Sequence, residues 1–571
     1  MDKRTALAFG LIVLVIILLP YYYKAVLPPE QKPQLETEQL EQPSSDTLGT
    51  PLQSETIEKQ VDTLEAETAE VRPESGDFFL EENPEFVTVT TPFYEMVFST
   101  RGGVMVKCRL LEYEGQDDGK VQLIRPESRE NLNLTLYRNG HLLDMRNVRF
   151  KPDKKQLFIP AEGEGRLVLR AEDPGGGWLQ KTLTFRGDEY PFRMRLEAGG
   201  IEDLDPFYEV HWGSGLAITE PDTAQDIYYA KAYAYMGGEL ETFKGKGDKD
   251  ISGRANGTTE WIALRNKYFE VAILPVTRPG EGVQFGMDAQ PMMGKFRPKV
   301  FRAALNMSGR LDREIADFTV YCGPLDQKLI TRVLPTLAST MNWGWKVIEP
   351  FSKLVLWALR SLHSFIPNYG LVLILFSVLV KIVVWPLTYK STRSMSRMSA
   401  VQPKIKELQE KYKGNPEKIN KAMMQLYKEE GVNPFSSCWP TLLQMPLLYA
   451  LFIIFRSTIE LRKAPFILWI KDLSMPDVVA HLPFSLPLYG AHIALLPIFM
   501  GVTQLLMSKV MITDPKQKAT MYMMPIFMVL IFNNFPSGLS LYYALFNLWT
   551  YLQQTWLKQK GVIPGAKPSK A

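Results

Sequence analysis

Long apolar runs without charge crowd into the last 200 residues of this 571-residue chain. Their lengths approach the roughly 20 residues that a helix needs to cross a bilayer. They predict five crossings, at about residues 368–389, 435–455, 488–507, 520–535 and 539–557. The last two share one charge-free stretch, which Asn533-Asn534-Phe535-Pro536-Ser537-Gly538 interrupts. Such a cluster of turn-forming residues predicts a very tight connection between two crossings.

A further apolar run follows Asp2, Lys3 and Arg4 at the N-terminus and ends in Pro20-Tyr21-Tyr22-Tyr23. A cleaved signal peptide would carry a small-x-small site after the run, and none follows here. Tyrosine is enriched where a helix leaves the membrane. We therefore expect residues 1–23 to be an uncleaved anchor, which raises the count to six crossings.

The polar part of the chain divides into two segments. Residues 24–77 are rich in Glu, Gln, Pro, Ser and Thr, so they bury too little apolar area to offset their ordering entropy and predict a disordered tether. Residues 78–340 show short alternating runs between Gly, Asn, Asp and Pro, for example at 86–90, 166–170, 182–185 and 269–274. The chain is therefore predicted to be a polytopic α-helical membrane protein with a large all-β sandwich domain.

Charge is divided unequally along the chain. From Met341 onward there are 25 Lys+Arg against 10 Asp+Glu, whereas the preceding residues carry 40 against 52. Loops rich in Lys and Arg stay in the cytoplasm. The basic loop at 390–434 and the basic tail at 561–571 are therefore expected inside, together with the N-terminus, and the β domain outside.

Residues 341–366 precede the second crossing and contain one apolar stripe at helical spacing, made of Phe351, Leu354, Ala358, Leu362 and Phe365. The stripe predicts a helix that lies on the outer membrane surface. A helix packed against the β domain would show the same pattern.

The loop at 390–434 predicts two short helices in an antiparallel hairpin. Gly414 suits the end of the first helix, Asn415 the cap of the second, and Pro416 its first turn. Methionine adapts to varied apolar partners. The hairpin is thus either a capture element for apolar segments or a solvated loop with a small core, and its candidate contact residues are Met395, Met398, Met423 and Met424.

Lys381 interrupts the apolar run of the second crossing. It lies nine residues before Lys390, the next charge toward the C-terminus, which places it about 13 Å from that boundary along a helix. A lysine side chain reaches only part of that distance. Lys381 therefore predicts a water-filled cavity that receives a negatively charged segment, and a tilted helix with a snorkelled lysine is the alternative.

The sequence shows no metal-ligand spacing, no phosphate-binding loop and no nucleophile–base motif, so we expect no cofactor, no metal and no enzymatic activity. A bridge between Cys108 and Cys322 is compatible with the sequence, but free thiols are favoured. A solute transporter should show internal repeats and paired broken helices, which are not seen. A membrane-anchored periplasmic glycan-binding protein or enzyme is the other alternative, and solvated surface explains its acidic loops better.

Seven short motifs occur in order over about residues 341–560: Trp385-Pro386-Leu387-Thr388, Gln402-Pro403-Lys404-Ile405, Leu426-Tyr427-Lys428, Gly431-Val432-Asn433-Pro434, Gln444-Met445-Pro446, Phe535-Pro536-Ser537-Gly538-Leu539 and Leu541-Tyr542-Tyr543. With them the chain resembles the YidC/Oxa/Alb family of membrane protein insertases, in its Gram-negative form with an N-terminal anchor and a large periplasmic domain. The resemblance implies insertion and folding of inner-membrane proteins, alone or with the Sec translocon.

The same resemblance implies a five-helix core around a hydrophilic groove that opens to the cytoplasm and to lipid. Its groove residues would be Lys381, Ser377, Tyr543, Gln444 and Asn547. The family usually has arginine where Lys381 stands, so a fixed bidentate geometry is not expected here. The implied partners are nascent membrane proteins, the lipid bilayer, the Sec translocon with its accessory subunits, and a ribosome or signal recognition particle receptor.

Overall fold

The computed structural model describes residues 78–116, 119–125, 130–243, 250–290, 298–431, 439–486, 488–511 and 518–560. They belong to two compact units, which divide between Met341 and Asn342. The predicted anchor at 1–23, tether at 24–77 and basic tail at 561–571 lie outside the described residues.

Strands dominate the described part of the first unit, which we call the β unit. They are β1 (Phe86–Thr90), β2 (Tyr94–Ser99), β3 (Val104–Glu114), β4 (Lys120–Gln122), β5 (Asn131–Arg138), β6 (His141–Asp144), β7 (Lys151–Pro152), β8 (Gln156–Phe158), β9 (Glu164–Glu172), β10 (Trp178–Arg186), β11 (Phe192–Gly199), β12 (Leu204–Trp212), β13 (Lys231–Met236), β14 (Glu239–Phe243), β15 (Ile251–Arg265), β16 (Phe269–Pro275), β17 (Gly280–Ala289), β18 (Lys299–Ser308) and β19 (Ala316–Pro324). Two short helices, α1 (Thr223–Tyr229) and α2 (Gln327–Val333), and a 3-10 turn at Pro335–Thr340 accompany them.

The strands form one hydrogen-bonded network. Strands β5 and β16 are buried along most of their length, whereas on several other strands burial follows the period of two expected for a pleated sheet. On β11, for example, Phe192 and Met194 are buried while Arg193 and Arg195 are exposed. The four strands predicted at 86–90, 166–170, 182–185 and 269–274 are confirmed as β1, β9, β10 and β16. Cys108 and Cys322 are buried free thiols, as favoured from the sequence.

A buried polar cluster holds the C-terminal segment of the β unit. The Trp261 indole donates to the Thr336 hydroxyl at 2.9 Å, and the Arg265 guanidinium donates to the Thr340 carbonyl. The Thr340 hydroxyl in turn donates to the Glu270 carboxylate at 3.1 Å. Because Glu270 is completely buried, desolvation raises its pKa to about 8.

The second unit, which we call the helical unit, contains the apolar runs. Its helices are α3 (Glu349–His363), α4 (Tyr369–Lys411), α5 (Pro416–Glu429), α6 (Trp439–Ser457), α7 (Leu495–Met511), α8 (Lys518–Phe532) and α9 (Ser537–Gln559). One described segment, Tyr369–Pro386, is long and apolar enough to cross a membrane by length and composition. Shorter apolar helices lie at Gln444–Ser457, Leu495–Val510 and Met521–Phe532.

Helix α4 joins two elements that the sequence separates. The Asn368 side chain caps its N-terminus by accepting from the Leu371 amide at 3.1 Å. The helix then continues through Pro386 and Pro403 to Lys411. The predicted second crossing and the first helix of the predicted hairpin are therefore parts of one continuous helix, since a proline inside a helix is tolerated where its neighbours satisfy the freed backbone groups.

The predicted crossing at 488–507 is wrong at its start. Residues before α7 form an antiparallel hairpin of β20 (Val478–Leu486) and β21 (Gly490–Ala494). An apolar run without charge does not by itself distinguish a strand from a helix, whereas β-branched residues and glycine favour the hairpin. The other predicted crossings agree with α4, α6, α8 and α9 within a few residues at each end, apart from the long extension of α4.

The amphipathic helix predicted within 341–366 is confirmed as α3. Its inward face is formed by Val355, Leu356 and Leu359, which are buried, and α3 packs against α6. The predicted stripe faces away from that contact, with Leu354 57% and Phe365 86% exposed. The face by which α3 packs against α6 is therefore not the predicted stripe.

Candidate functional site

Lys381 lies on α4 with its side chain turned into the helical unit. Its residue is only 6% exposed. The ammonium Nζ donates a hydrogen bond to the Thr550 hydroxyl of α9 at 2.8 Å. It also lies 4.9 Å from the centre of the Phe546 ring, within the range of a cation–π interaction. The side chain thus contacts α9 and does not extend toward the membrane surface as a snorkelled lysine would.

A second contact joins the same two helices one turn earlier on α4. Ser377 is completely buried, and its hydroxyl accepts from the Trp549 indole N–H at 3.0 Å. The same hydroxyl donates to the Ile374 carbonyl at 2.7 Å. Ser377 and Lys381 therefore meet neighbouring residues of α9, Trp549 and Thr550, and form one polar seam between α4 and α9.

At the seam, the positively charged ammonium group of Lys381 has a neutral hydrogen-bond partner, the Thr550 hydroxyl. The Thr550 hydroxyl donates its own proton to the Phe546 carbonyl at 2.7 Å, so it presents a lone pair to Lys381. A hydroxyl supplies a dipole but no negative charge, and a buried charge without a counter-ion is costly. The arrangement is therefore suited to receive a carboxylate.

Further polar side chains continue along the same helix. On α9, Asn547, Thr550 and Gln553 are all buried and recur at a spacing of three residues, which places them along one side of the helix. Within the described structure neither amide atom of Gln553 has a hydrogen-bond partner. Sequence reasoning missed Trp549, Thr550 and Gln553, although polar residues at this spacing inside an apolar run are a usable signal.

The other predicted groove residues lie on two different helices, α9 and α6. Tyr543 on α9 packs its ring against Phe532 of α8, with ring centres 5.2 Å apart. Asn547 follows Tyr543 by one turn on the same helix. Gln444 is half-buried on α6, and among the described contacts none joins it to Lys381. The structure thus gathers Lys381 and Ser377 at α9, which carries Tyr543 and Asn547, and leaves Gln444 apart.

The hairpin formed by the end of α4 and by α5 has a small core of its own. Val401, Ile405 and Leu426 are buried together, and Leu408, Met423 and Tyr427 pack against them. Asn415 caps α5, as predicted, by accepting from the Lys418 amide at 3.1 Å. An ion pair between Lys404 and Glu430 at 2.6 Å closes the hairpin, and the hydrogen bond that Lys404 donates to this carboxylate raises the pKa of Lys404.

The four predicted capture methionines therefore differ. Met423 belongs to the small core, whereas Met424 is 65% exposed. Met395 and Met398 lie on α4, but their side chains are outside the described part of the structure. Met424 is the methionine that the structure leaves open to a partner.

A β-rich unit followed by apolar helices around a buried lysine defines a helical membrane protein with a polar site in its interior. Two family models match the chain: the 60Kd inner membrane protein model over residues 361–563 and the YidC periplasmic domain model over residues 86–358. The chain is similar to the membrane protein insertase YidC of Chlorobaculum parvum, with 33% identity over 98% of this chain and 94% of the relative. The Chlorobaculum tepidum relative gives the same figures.

Among the solved structures similar to this chain is the crystal structure of an active YidC insertase with its first transmembrane domain resolved. The match covers 84% of this chain and 93% of that chain, at 19% identity and a TM-score of 0.35. On the sequence comparisons, this chain belongs to the YidC family of membrane protein insertases. That family is one of inner-membrane proteins with a periplasmic domain, and its members are insertases and not enzymes. The resemblance stated from the sequence motifs is confirmed.

Proposed function

We propose that this chain inserts apolar segments of nascent membrane proteins, and that their polar flanks pass along the seam between α4 and α9. The observation that carries the proposal is the buried Lys381 ammonium, whose hydrogen-bond partner is the neutral Thr550 hydroxyl. The hydrogen bond from the ammonium group to Thr550 is already charge-assisted, and a carboxylate in that position would add the opposite charge, which offsets the cost of burying the ammonium group. The insertase name of the relatives supports the same activity.

Entry of a polar flank requires the seam to open. The Lys381–Thr550 and Ser377–Trp549 hydrogen bonds hold α4 against α9, so an arriving flank must replace them with its own. Asn547 and Gln553 then offer further hydrogen bonds along α9, which also carries Tyr543, and Gln444, which lies apart on α6 in this structure, lines the path once the seam has opened. An isolated charge in the membrane costs several kcal/mol, and this polar path lowers that cost.

The apolar part of the substrate supplies the driving force. It leaves the seam sideways into lipid, where burial contributes roughly 0.8 kcal/mol per CH₂ group. Before that step the cytoplasmic hairpin makes the first contact, through the exposed Met424 together with Met395, Met398 and Met423. No nucleotide hydrolysis is needed, since transfer of apolar surface from water to lipid is favourable by itself.

The proposed topology has six crossings with both termini in the cytoplasm. It comprises an anchor at 1–23, a tether at 24–77, a periplasmic β-sandwich domain at 78–340, an interfacial segment at 341–366, an insertase core at 367–560 and a cytoplasmic tail at 561–571. The charge-free stretch between Lys518 and the turn that starts at Asn533 has only 14 residues, fewer than the roughly 20 that a crossing needs. The bilayer should therefore be thin beside α8.

The proposed partners lie within the membrane and on its cytoplasmic side. The Sec translocon and its accessory subunits would share substrates within the bilayer, and a ribosome or the signal recognition particle receptor would deliver them. The tail at 561–571 carries Lys567 and Lys570 and no acidic residue, which favours contact with the phosphates of ribosomal RNA.

Insertion into proteoliposomes tests the role of Lys381. Two substrates are compared that differ only in whether the translocated tail carries acidic or uncharged polar residues. Lys381→Ala should reduce insertion of the acidic substrate about tenfold more than the uncharged one, since a hydrogen bond to a charged group is worth about 1.5–3 kcal/mol. Lys381→Arg should retain activity.

Equal losses for both substrates, at matched protein levels and matched helical content, would remove the electrostatic role of Lys381. Crosslinking from photoreactive side chains at positions 377 and 543 to an arrested nascent chain locates the path independently. A substrate that is inserted normally but never crosslinks at either position would show that it does not use the seam.

A further inference from the structure

The hairpin of β20 and β21 is apolar and exposed. Residues 478–494 contain no Asp, Glu, Lys or Arg. Four of its large apolar side chains are open to the surroundings, with exposed fractions of 48% for Val479, 58% for Phe484, 43% for Leu486 and 47% for Leu488. A two-stranded hairpin is marginally stable in water by itself, so this one needs a surface to cover it.

The turn of the hairpin and strand β21 are both hydrogen-bonded to the connection between α8 and α9. The buried Asn533 amide donates to the carbonyls of Tyr489 at 2.8 Å and His492 at 2.7 Å, and its oxygen accepts from the Ala494 amide at 2.9 Å. Asn534 adds hydrogen bonds to the Leu488 and Tyr489 carbonyls. The hairpin is therefore held in place at the common end of α7, α8 and α9.

The apolar surface of the hairpin continues onto a helix. Strand β21 ends at Ala494 and α7 begins at Leu495. Along α7, Leu495, Phe499 and Val502 are 38%, 45% and 51% exposed. The described part of α7 spans 17 residues.

We propose that the β20–β21 hairpin is embedded in the lipid bilayer, at the boundary between headgroups and acyl chains beside the ends of α7 and α8. Lipid is the partner that the surface fits, because the apolar residues are continuous with the exposed face of α7 and the segment carries no charge with which to select a protein. The hairpin extends the exposed apolar surface of α7 past the N-terminal end of that helix.

The backbone of the hairpin limits how deeply it can lie in the bilayer. A two-stranded sheet has free edges, and unpaired N–H and C=O groups are not tolerated in the hydrocarbon region. In the headgroup zone, water and lipid esters satisfy them. Tyr489 and His481, on the same hairpin, are of the amphipathic type that sits well at that level. The proposed topology would place the hairpin in the outer leaflet, whereas the contact with the membrane does not depend on that topology.

Spin labels measure the depth directly. The full-length chain, with Cys108, Cys322 and Cys438 replaced by alanine, is placed in lipid nanodiscs and labelled at position 484 or 486. Position 502 on α7 serves as a lipid reference and position 162, an exposed residue of the β unit, as an aqueous reference. Power saturation with oxygen and with a water-soluble nickel chelate then gives the depth of each label.

The depths measured for the labels at 484 and 486 should lie between those of the two reference positions. Both labels should be more accessible to oxygen than to the nickel chelate, whereas the label at position 162 should be more accessible to the nickel chelate. Accessibility equal to that of position 162 would overturn the proposal. Low accessibility to both reagents would mean that protein, either a second copy or another part of this chain, covers the hairpin, and this outcome overturns it as well. Because no insertion is measured, the result is independent of the proposed function.

A matched pair of variants supplies a second readout. Phe484→Asp should raise amide hydrogen exchange across residues 478–486 by about tenfold in nanodiscs, because a carboxylate at this depth pulls the hairpin from the bilayer. Phe484→Leu should leave the exchange unchanged. Equal exchange in the Asp variant, the Leu variant and the unmodified chain would contradict the lipid contact.

Discussion

The Arg360 guanidinium of α3 forms an ion pair with the Glu460 carboxylate, which lies 100 residues later in the turn after α6. Both side chains are largely buried, with 14% and 10% exposed. The pair ties the helix that precedes the apolar core to the end of α6, and α3 packs against that same helix. It positions the entry into α4 by a specific polar contact, in addition to the apolar one.

Removal of one member of this pair should be strongly destabilising. Arg360→Ala leaves a buried carboxylate without its partner, which costs about 3–5 kcal/mol, and should lower the thermal midpoint of the helical unit in nanodiscs. The double variant Arg360→Met/Glu460→Met should recover most of that loss. Lys353→Ala, which breaks the exposed pair with Glu349 on the same helix, is the control and should cost under about 1 kcal/mol. Equal effects of the two alanine variants would contradict the buried pair's role.

The contact between Lys381 and Thr550 should affect both stability and activity. Thr550→Val is nearly isosteric but removes the acceptor for the ammonium group, at a cost of about 1–3 kcal/mol. Circular dichroism should show a lower thermal midpoint for the valine variant, whereas Thr550→Ser should keep it.

If the seam must open during insertion, the valine variant should also insert acidic-tailed substrates at least as fast as the serine variant when both are folded. Slower insertion by a folded valine variant would indicate that Thr550 contacts the substrate itself.

The buried Glu270 predicts that the β unit loses stability as pH rises. Its pKa is raised to about 8 in the folded chain, so between pH 5 and 7 the folded state keeps a proton that the unfolded state has released. The free energy of unfolding of the β unit therefore decreases as the pH rises, by about 2–3 kcal/mol between pH 5 and 7. Calorimetry of the β-unit transition in the full-length protein measures the slope.

Glu270→Gln removes the ionisable group and retains an acceptor for the Thr340 hydroxyl. The glutamine variant should reduce that slope by the amount due to Glu270 and be the more stable protein at pH 7. A slope that is the same in both proteins would mean that Glu270 ionises normally in the folded state.

In the hairpin of α4 and α5, different residues form the core and the exposed surface, so the two can be tested by separate substitutions. Leu426→Ala truncates a buried side chain and should cost about 2–5 kcal/mol locally, seen as faster amide exchange in α5. Met424→Ala removes an exposed side chain and should leave exchange unchanged while it weakens crosslinking to an emerging apolar segment. Unchanged crosslinking in the Met424 variant would contradict the capture role.

Local signals in the sequence were sufficient for much of the fold. The alternation of apolar and polar residues located β1 and β16, because side chains in a strand point to opposite faces. Asn415 and Pro416 marked the start of α5, since a helix start needs a side-chain acceptor and tolerates proline. The buried charge of Lys381 was also visible in the sequence, because its distance from the next charge is a matter of counting residues.

The tertiary structure decided everything that depends on residues far apart. Thr550 lies 169 residues after Lys381, and no local pattern pairs a lysine with one particular hydroxyl. The hairpin before α7 was read as part of a crossing because an uncharged apolar run suits a strand and a helix equally. Its conformation is fixed by Asn533, about 40 residues later. Sequence thus set which segments avoid water, and long-range hydrogen bonds set the form that each of them takes.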